Sequence, residues 1–243
     1  MSNSEITLDA LEKRSEFLSV LQELKRRRIE NALAFYEPFP KQRDFHRAGA
    51  VCGERLLMAA NQIGKTVAGG AEWAIHLTGR YPDWWDGAVF EKPVRFWLGG
   101  VTGESTRDNP QRILIGQPEI RQQWGRGLIP KECLKEITMS RGQPNAIDSI
   151  VVRWGGGGDI QDGESSLLFK SYEKGREKWQ GDTIDGVWFD EEPPPDIYSE
   201  GRTRTNNGQL GNFCAITFTP LKGMSDVVRQ FITDDMLNQS EAA

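Results

Sequence analysis

The chain has 243 residues, 37% hydrophobic and 27% charged, enough for one large α/β domain or two small ones. A net charge of −5 gives no whole-chain sign of a nucleic-acid binder, and no stretch approaches the ~18 apolar residues of a membrane span. The polar start "MSNSEITLDALEKRSEF" lacks the apolar core of a signal peptide, and Cys52, Cys133 and Cys214 are few and scattered, as expected of free thiols in a reducing, cytoplasmic compartment.

In chain order, residues 7 to 35 are expected to form one or two helices. Leu8, Leu11, Leu18, Leu21 and Leu24 fall at helical spacing, and Thr7 can cap the start. The run "KRRR", Lys25 to Arg28, departs locally from the acidic balance; it is either a solvated helix face or a restricted surface for nucleic acid. The proline-broken stretch "YEPFPKQRDFHRAG" follows and places Gln42 in a loop. Next come strand "RLLMAA", a loop, a helix from Lys65 to Thr78, a turn at "GRYPDWWDG" and strand "VRFWLGGV". A polar stretch with helix-like pieces runs from Ser105 to Glu136. "SIVVRW" and "SLLFKSY" are expected to pair as strands across "GGGGDIQDGES", whose glycines suit turns and bulges. Strands "GVWFD" and "FCAITFTP" close the pattern, and "DDMLNQSEAA" is a polar tail or the start of a linker. This alternation predicts an α/β fold, a mainly parallel sheet flanked by helices, with ligand at the carboxyl ends of the strands. The expected organisation is an N-terminal helical segment over 1–55, a core over 56–235 and a tail over 236–243.

Ala59-x-x-x-x-Gly64-Lys65-Thr66 matches the phosphate-loop (P-loop) pattern, with alanine in place of the first glycine. Backbone N–H groups across Ala60, Asn61, Gln62, Ile63, Gly64, Lys65, Thr66 and Val67 would surround the phosphates of ATP. Lys65 would reach the β and γ phosphates, and the Thr66 hydroxyl would bind Mg²⁺. Gly69 and Gly70 inside the following helix cost about 1 kcal/mol each against alanine, which points to close packing.

The segment "DGVWFDEEPPP" supplies the matching acids. Asp190 at the strand tip can hold Mg²⁺ through water, Glu191 can polarise the attacking water, and Glu192 is expected to be merely solvated. The triple proline stops the strand. Gln42 can read the adenine edge through its amide, or is a surface glutamine. Thr217 and Thr219 either sense the γ-phosphate or cap the turn before Pro220.

With these residues assembled, the chain resembles the ATPase domain of the large terminase subunit of tailed bacteriophages, a DNA-packaging motor. The carrying segments are "FPKQRDF", "AANQIGKT", "FKSYEKGREKWQGDTIDGVWFDEEPPP" and "ITFTPLKG", in the family's order. The resemblance implies a RecA-like P-loop ATPase of the ASCE type, requiring ATP and Mg²⁺. It implies self-association into a ring on the portal protein, with double-stranded DNA and the small terminase subunit as further partners. The implied location is the cytoplasm of the infected bacterial host, with no membrane involvement. A nuclease domain is expected beyond residue 243, so no nuclease activity is expected in this chain. Many relatives carry an arginine within the phosphate loop, where this chain has Asn61 and Gln62. The transition-state charge must then be met elsewhere, with Arg107 the first candidate and Arg202 and Arg204 behind it, from the same chain or a neighbour. The rival readings are a helicase-like ATPase of other purpose and a nucleotide-binding scaffold without turnover.

Overall fold

The computed structural model describes residues 3–60, 62–155, 163–220, 223 and 225–232, with side chains described from residue 10 onward. Helix α1 (Asn3–Glu30) is a single helix, so Thr7 lies inside it rather than at its cap. A 3₁₀ turn over Ala32–Phe35 follows, capped by Asn31. The leucine spacing does not mark a core face here, since Leu11, Leu18, Leu21 and Leu24 are all exposed. Within "KRRR", Arg26 pairs with Glu23 and Glu30, and Arg27 with Glu23. These are exposed helix pairs worth only tenths of a kcal/mol.

The stretch expected as a loop around Gln42 is instead helix α2 (Pro40–Ala48), with Pro40 at its first position, where a missing N–H is harmless. The core then follows the expected alternation: β1 (Glu54–Met58), α3 (Lys65–Thr78) and β2 (Arg95–Gly100). The polar stretch beyond β2 opens as a helical segment, α4 (Gly103–Thr106) and α5 (Arg112–Ile115) joined by a π-helical turn over Arg107–Gln111 that accommodates Pro110. It also contains an unexpected strand, β3 (Leu134–Met139). Lys135, Glu136 and Thr138 are exposed there, as is usual for a sheet edge that must not recruit another chain. Strands β4 (Ile147–Trp154) and β5 (Gly163–Ser171) pair antiparallel as expected; most of the glycine-rich connection lies outside the described residues. Strand β6 (Gly186–Asp190), helix α6 (Pro195–Thr205), strand β7 (Cys214–Phe218) and the short α7 (Asp226–Arg229) complete the chain. The triple proline ends β6 and also starts α6. The expected 236–243 tail lies outside the described residues.

The seven strands form one sheet in the order β1-β7-β6-β2-β5-β4-β3. Five are parallel, β1 to β5 in that order, and β4 and β3 extend the sheet with antiparallel pairing. Each face carries its own buried cluster. Trp73, Phe96, Trp188 and Phe213 pack beneath α3 on one side, and Trp97, Trp179, Phe189 and Phe218 pack with Ile197 and Tyr198 of α6 on the other. The register brings Met58, Phe218, Asp190 and Gly100 to one edge, the carboxyl ends of the parallel strands. Among the described residues no helix is long and apolar enough to cross a membrane.

The two helix glycines have a steric reason. A Cβ on Gly69 would lie 2.5 Å from Cε2 of Trp188, and one on Gly70 would lie 2.9 Å from Cγ2 of Ile113. Helix α3 therefore sits lower on the sheet than a helix with alanine there could. Gly69→Ala should destabilise the fold by about 1–3 kcal/mol, because overpacking against the Trp188 ring outweighs the ~1 kcal/mol of helix propensity gained. Denaturant unfolding checks this; a variant as stable as the parent would mean that α3 is free to lift.

Candidate active site

Strand β1 delivers the chain into the loop at its carboxyl end, and α3 starts immediately after Gly64. Gly64 has φ of +79°, and Gln62 lies at φ of +63° without being glycine. Such left-handed positions turn successive N–H groups towards a common centre, the geometry of an anion nest. Asn61 lies outside the described residues; Ile63 and Val67 are exposed beside the loop.

Lys65 is only 8% exposed, and its ammonium is folded across the loop. Nζ donates to the carbonyl of Ala60 at 2.7 Å and to Oγ1 of Thr219 at 2.9 Å. The end of β7 thus supplies Thr219 to the loop lysine, 154 residues away in sequence. Thr217, two positions earlier, has a different partner: its hydroxyl donates to Oδ1 of Asp190 at 2.9 Å and accepts from Nε1 of Trp188 at 2.8 Å. The Thr66 hydroxyl also favours the charged form of the Asp190 carboxyl. Burial pushes that carboxyl up to about 7, against the lowering effect of the Thr217 and Thr66 hydroxyls. A threonine hydroxyl against a carboxylate is a pair of hard oxygen donors, which fits Mg²⁺ completed by phosphate and water rather than by a protein cage.

Glu191 follows at φ of +70°, a left-handed position costly for a side chain of its size. Its backbone is held from both sides: its N–H donates to the Thr217 carbonyl at 2.8 Å, and its carbonyl accepts from the Tyr172 hydroxyl at 2.8 Å. Its carboxylate has no hydrogen-bond or ion-pair partner among the described residues. A strained backbone carrying a free carboxylate beside Asp190 suits a water activator. Glu192 is half-buried and likewise without a partner among the described residues. Tyr172 was not legible as a site residue in the sequence.

Gln42 is neither in a loop nor on the surface. It is 6% exposed; its Oε1 accepts from the Phe39 N–H at 2.9 Å, and its Nε2 donates to the Gly64 carbonyl at 3.0 Å. Both halves of the amide are thus taken by the protein, and they tie α2 to the phosphate loop. An open cleft of about 1220 Å³ lies between them, lined by Phe35, Tyr36, Phe39, Gln42, Gly64 and Lys65. The aromatic residues of "AFYEPF" form its apolar wall, and Arg28 of α1 lines it as well.

The three candidate arginines are all engaged and line no part of that cleft. Arg107 grips Asp108 through Nε at 2.6 Å and Nη2 at 3.0 Å, and donates to the Pro144 carbonyl. Arg202 pairs with Glu54 at 2.7 Å, and Arg204 with Glu200.

Behind the loop lies a buried charge cluster that the sequence did not reveal. Glu72 of α3 is fully buried and meets Nη1 of Arg55 from β1 at 2.6 Å and Nδ1 of His46 from α2 at 2.7 Å. The Arg55 contact is an ion pair whose angles fall short of a hydrogen bond. His46 also meets the Tyr36 hydroxyl at 3.0 Å, and His76 the Tyr81 hydroxyl at 3.2 Å. Burial alone raises the Glu72 carboxyl, but Arg55, His46 and His76 together hold it well below the carboxylate range. Burial lowers His76 from its ordinary value, more than Glu72 raises it. The three elements around the phosphate loop are locked to each other here.

A family model described as terminase large subunit, T4likevirus-type, N-terminal, matches residues 56–242. The chain is similar to the terminase large subunit of Salmonella phage P22, 45% identical over 94% of this chain and 48% of that protein. The corresponding protein of Enterobacteria phage LP7 is 27% identical over 94% of this chain and 49% of its own length. The chain thus spans about half the length of the relatives it matches. Among solved structures, the large terminase ATPase domain of Thermus phage P74-26 superimposes with a TM-score of 0.55 at 19% identity, over 85% of this chain and 77% of that one. That likeness concerns the fold, which is that of a P-loop NTPase.

The shifted groups predict how stability responds to acid. His76 has a depressed folded value, so below its ordinary ~6.5 the unfolded chain takes a proton the folded chain refuses, and stability is lost as pH falls. Asp190 is raised to about 7, so the folded chain takes a proton first and stability is gained as pH falls through 7. The chain has only two histidines, both in this cluster. Between about pH 7 and 5.5 the two effects therefore oppose each other, and the parent's profile should be shallow. Asp190→Asn should remove the gain and uncover a stability that falls with acid. Urea unfolding across that range tests this, and an Asp190→Asn profile as flat as the parent's would refute the assignment.

Proposed function

This chain belongs to the terminase large subunit family, and from that premise we propose that it is an ATP-hydrolysing motor domain that powers translocation of double-stranded DNA into a viral procapsid. The observation that carries the reading is the meeting of Lys65, Thr66, Asp190, Glu191 and Thr219 at one edge of the sheet, with Lys65 bonded to Thr219 and the Thr66 hydroxyl favouring the charged form of Asp190. In this reading the loop N–H groups and Lys65 hold the phosphates of ATP. Thr66 and Asp190 hold Mg²⁺, which when bound supplies charge neutralisation on the phosphates. Glu191 takes the proton of the attacking water, its free carboxylate directed by a backbone fixed through Tyr172 and Thr217. Thr219 shares Lys65 with the phosphates and so responds to their presence. Gln42 sets the loop position from the side of the base.

A scaffold that binds ATP without turnover would have no use for a strained, unpartnered Glu191, which favours the enzyme reading. We assign the remaining partners by the same family premise: the portal protein, the small terminase subunit, and further copies of this chain in a ring, within the cytoplasm of the infected bacterial host. Nuclease activity is not assigned to these 243 residues. Arg107, Arg202 and Arg204 are each committed to a carboxylate within the chain, and we assign the arginine that meets the transition-state charge to a neighbouring subunit in preference to Arg28, the arginine of this chain that lines the cleft. Specific ATPase activity should therefore rise with protein concentration. A rate per molecule constant from dilute to concentrated protein would place the arginine in the same chain.

The two acids should fail differently when converted to amides. Glu191→Gln should bind Mg-ATP almost normally and lose turnover by at least about 100-fold, the usual contribution of a general base. Asp190→Asn should instead weaken the Mg²⁺ dependence of nucleotide binding. Calorimetry with steady-state assays separates the two, and a Glu191→Gln rate above about a third of the parent's would remove Glu191 from the role.

A further inference from the structure

A net charge of −5 leaves open where a DNA motor would grip its substrate. A second cleft, of about 220 Å³, opens between the start of α4, the turn joining β3 to β4, and the end of β5. It shares no lining residue with the nucleotide cleft. Arg107, Arg141, Lys170 and Lys174 line it, against one carboxylate, Glu173. That carboxylate is occupied, accepting from the Gly103 N–H at 2.7 Å. Two of the cations are also committed: Arg107 to Asp108, and Lys170 to the Lys178 carbonyl at 2.6 Å, with its ammonium 4.0 Å from the centre of the Trp97 ring. Arg141 and Lys174 are exposed at the rim, with no hydrogen-bond or ion-pair partner among the described residues. In the cleft wall, Ser171 is 3% exposed and its hydroxyl has no hydrogen-bond partner among the described residues.

A buried hydroxyl without an acceptor, below two unpaired cations, is a set of donors lacking an anion. The volume is below that of ordinary small-molecule sites, so it suits a phosphate group rather than a whole nucleotide. We propose that this cleft seats a backbone phosphate of duplex DNA, with Arg141 and Lys174 engaging the phosphodiester charge and the Ser171 hydroxyl donating to a phosphate oxygen. Such contacts carry no base information, as a motor that moves along any sequence requires. The position also bears on catalysis. Ser171 and Glu173 flank Tyr172, whose hydroxyl holds the Glu191 carbonyl, so the cleft adjoins the support of the proposed water activator. The choice of DNA as the source of the phosphate rests on the motor reading; the anion site itself does not.

The test is fluorescence anisotropy of a labelled duplex of arbitrary sequence, titrated with the full chain without nucleotide at several NaCl concentrations. Arg141→Ala/Lys174→Ala should lower affinity about 10-fold or more at low salt, and should flatten the slope of log affinity against log salt by roughly 2, one for each cation removed from the DNA backbone. A second duplex of unrelated sequence should show the same loss, and an unchanged melting temperature should show that the variant is folded. Lys25→Ala/Arg28→Ala, which removes two unpaired cations of α1, should change affinity much less. Parent-like affinity and slope in the cleft variant, or a loss confined to the α1 variant, would overturn the proposal. So would calorimetric binding of inorganic phosphate to the cleft by a parent that does not bind the duplex, since the site would then serve a free anion. Turnover is measured separately: DNA binding that depends on the cleft in a chain without ATPase activity would sink the motor reading and leave this site standing.

Discussion

A carboxylate with no exposed surface keeps its charge only if a cation and hydrogen-bonding groups lie directly against it, and Glu72 imposes that condition on everything around the phosphate loop. Arg55 must come from β1, His46 from α2, and the glutamate itself from α3, so three elements distant in sequence are fixed relative to each other. Removing one partner of such a group is far more damaging than replacing the whole set, because the remaining charge stays buried. Arg55 is further confined between the rings of Phe45 and Phe213, 4.9 and 4.6 Å from its guanidinium carbon. The loop therefore starts from a β1 and enters an α3 whose separation is already set. Gln42 adds the third support by donating from α2 to the Gly64 carbonyl.

The opposite edge of the site is held by hydroxyls instead of charges. Thr217 accepts from Trp188 and donates to Asp190, which orients the carboxylate and uses the same indole that lies against Gly69. The helix that carries Lys65 and the strand that carries Asp190 thus meet at one aromatic ring. An alanine at position 69 would disturb both. Tyr172 performs the corresponding task for Glu191, reaching from the end of β5 across β2 to the carbonyl beyond β6. Because β2 lies between β5 and β6, a small residue is required on the strand crossed. A Cβ on Gly99 would come within 2.3 Å of the Trp179 ring and 2.9 Å of the Tyr172 ring.

The loop, the helix after it and the two acidic positions were legible in the sequence because each is local: a short spacing, an apolar strand and a turn specify them. The close packing of Gly69 and Gly70 was legible for the same reason, as a local penalty with no local benefit. What was not legible depends on tertiary neighbours. Gln42 carries the correct side chain for either role, and only the fold shows its amide spent on Phe39 and Gly64. The helical leucines of α1 have the spacing of a buried stripe without a surface to bury it on. Strand β3 escaped notice because an edge strand is composed of charged and polar residues for reasons that have nothing to do with its hydrogen bonding. Glu72 belongs to no motif, Ser171 and Tyr172 lie in the segment "FKSYEKGREKWQ" without a role that the sequence assigns, and all three acquire meaning only from what lies opposite them.

Lys65 shows how this architecture could convert an arriving phosphate into movement. Its ammonium already donates to two acceptors, the Ala60 carbonyl and the Thr219 hydroxyl. A phosphate that recruits Lys65 must compete with both, and a bond between two charged groups is stronger than a bond from the same ammonium to either neutral acceptor. The partner left behind is the residue that follows β7 by one position, and β7 is the strand between the loop strand and the acid strand. Thr217, two residues earlier on that strand, holds Asp190, and its carbonyl holds the N–H of Glu191. Loss of the Lys65–Thr219 bond therefore acts on β7, the strand that also holds Asp190 and the Glu191 backbone, the acids to which we assign Mg²⁺ and the attacking water. In this arrangement β7 is the element through which the occupancy of the loop reaches the acids.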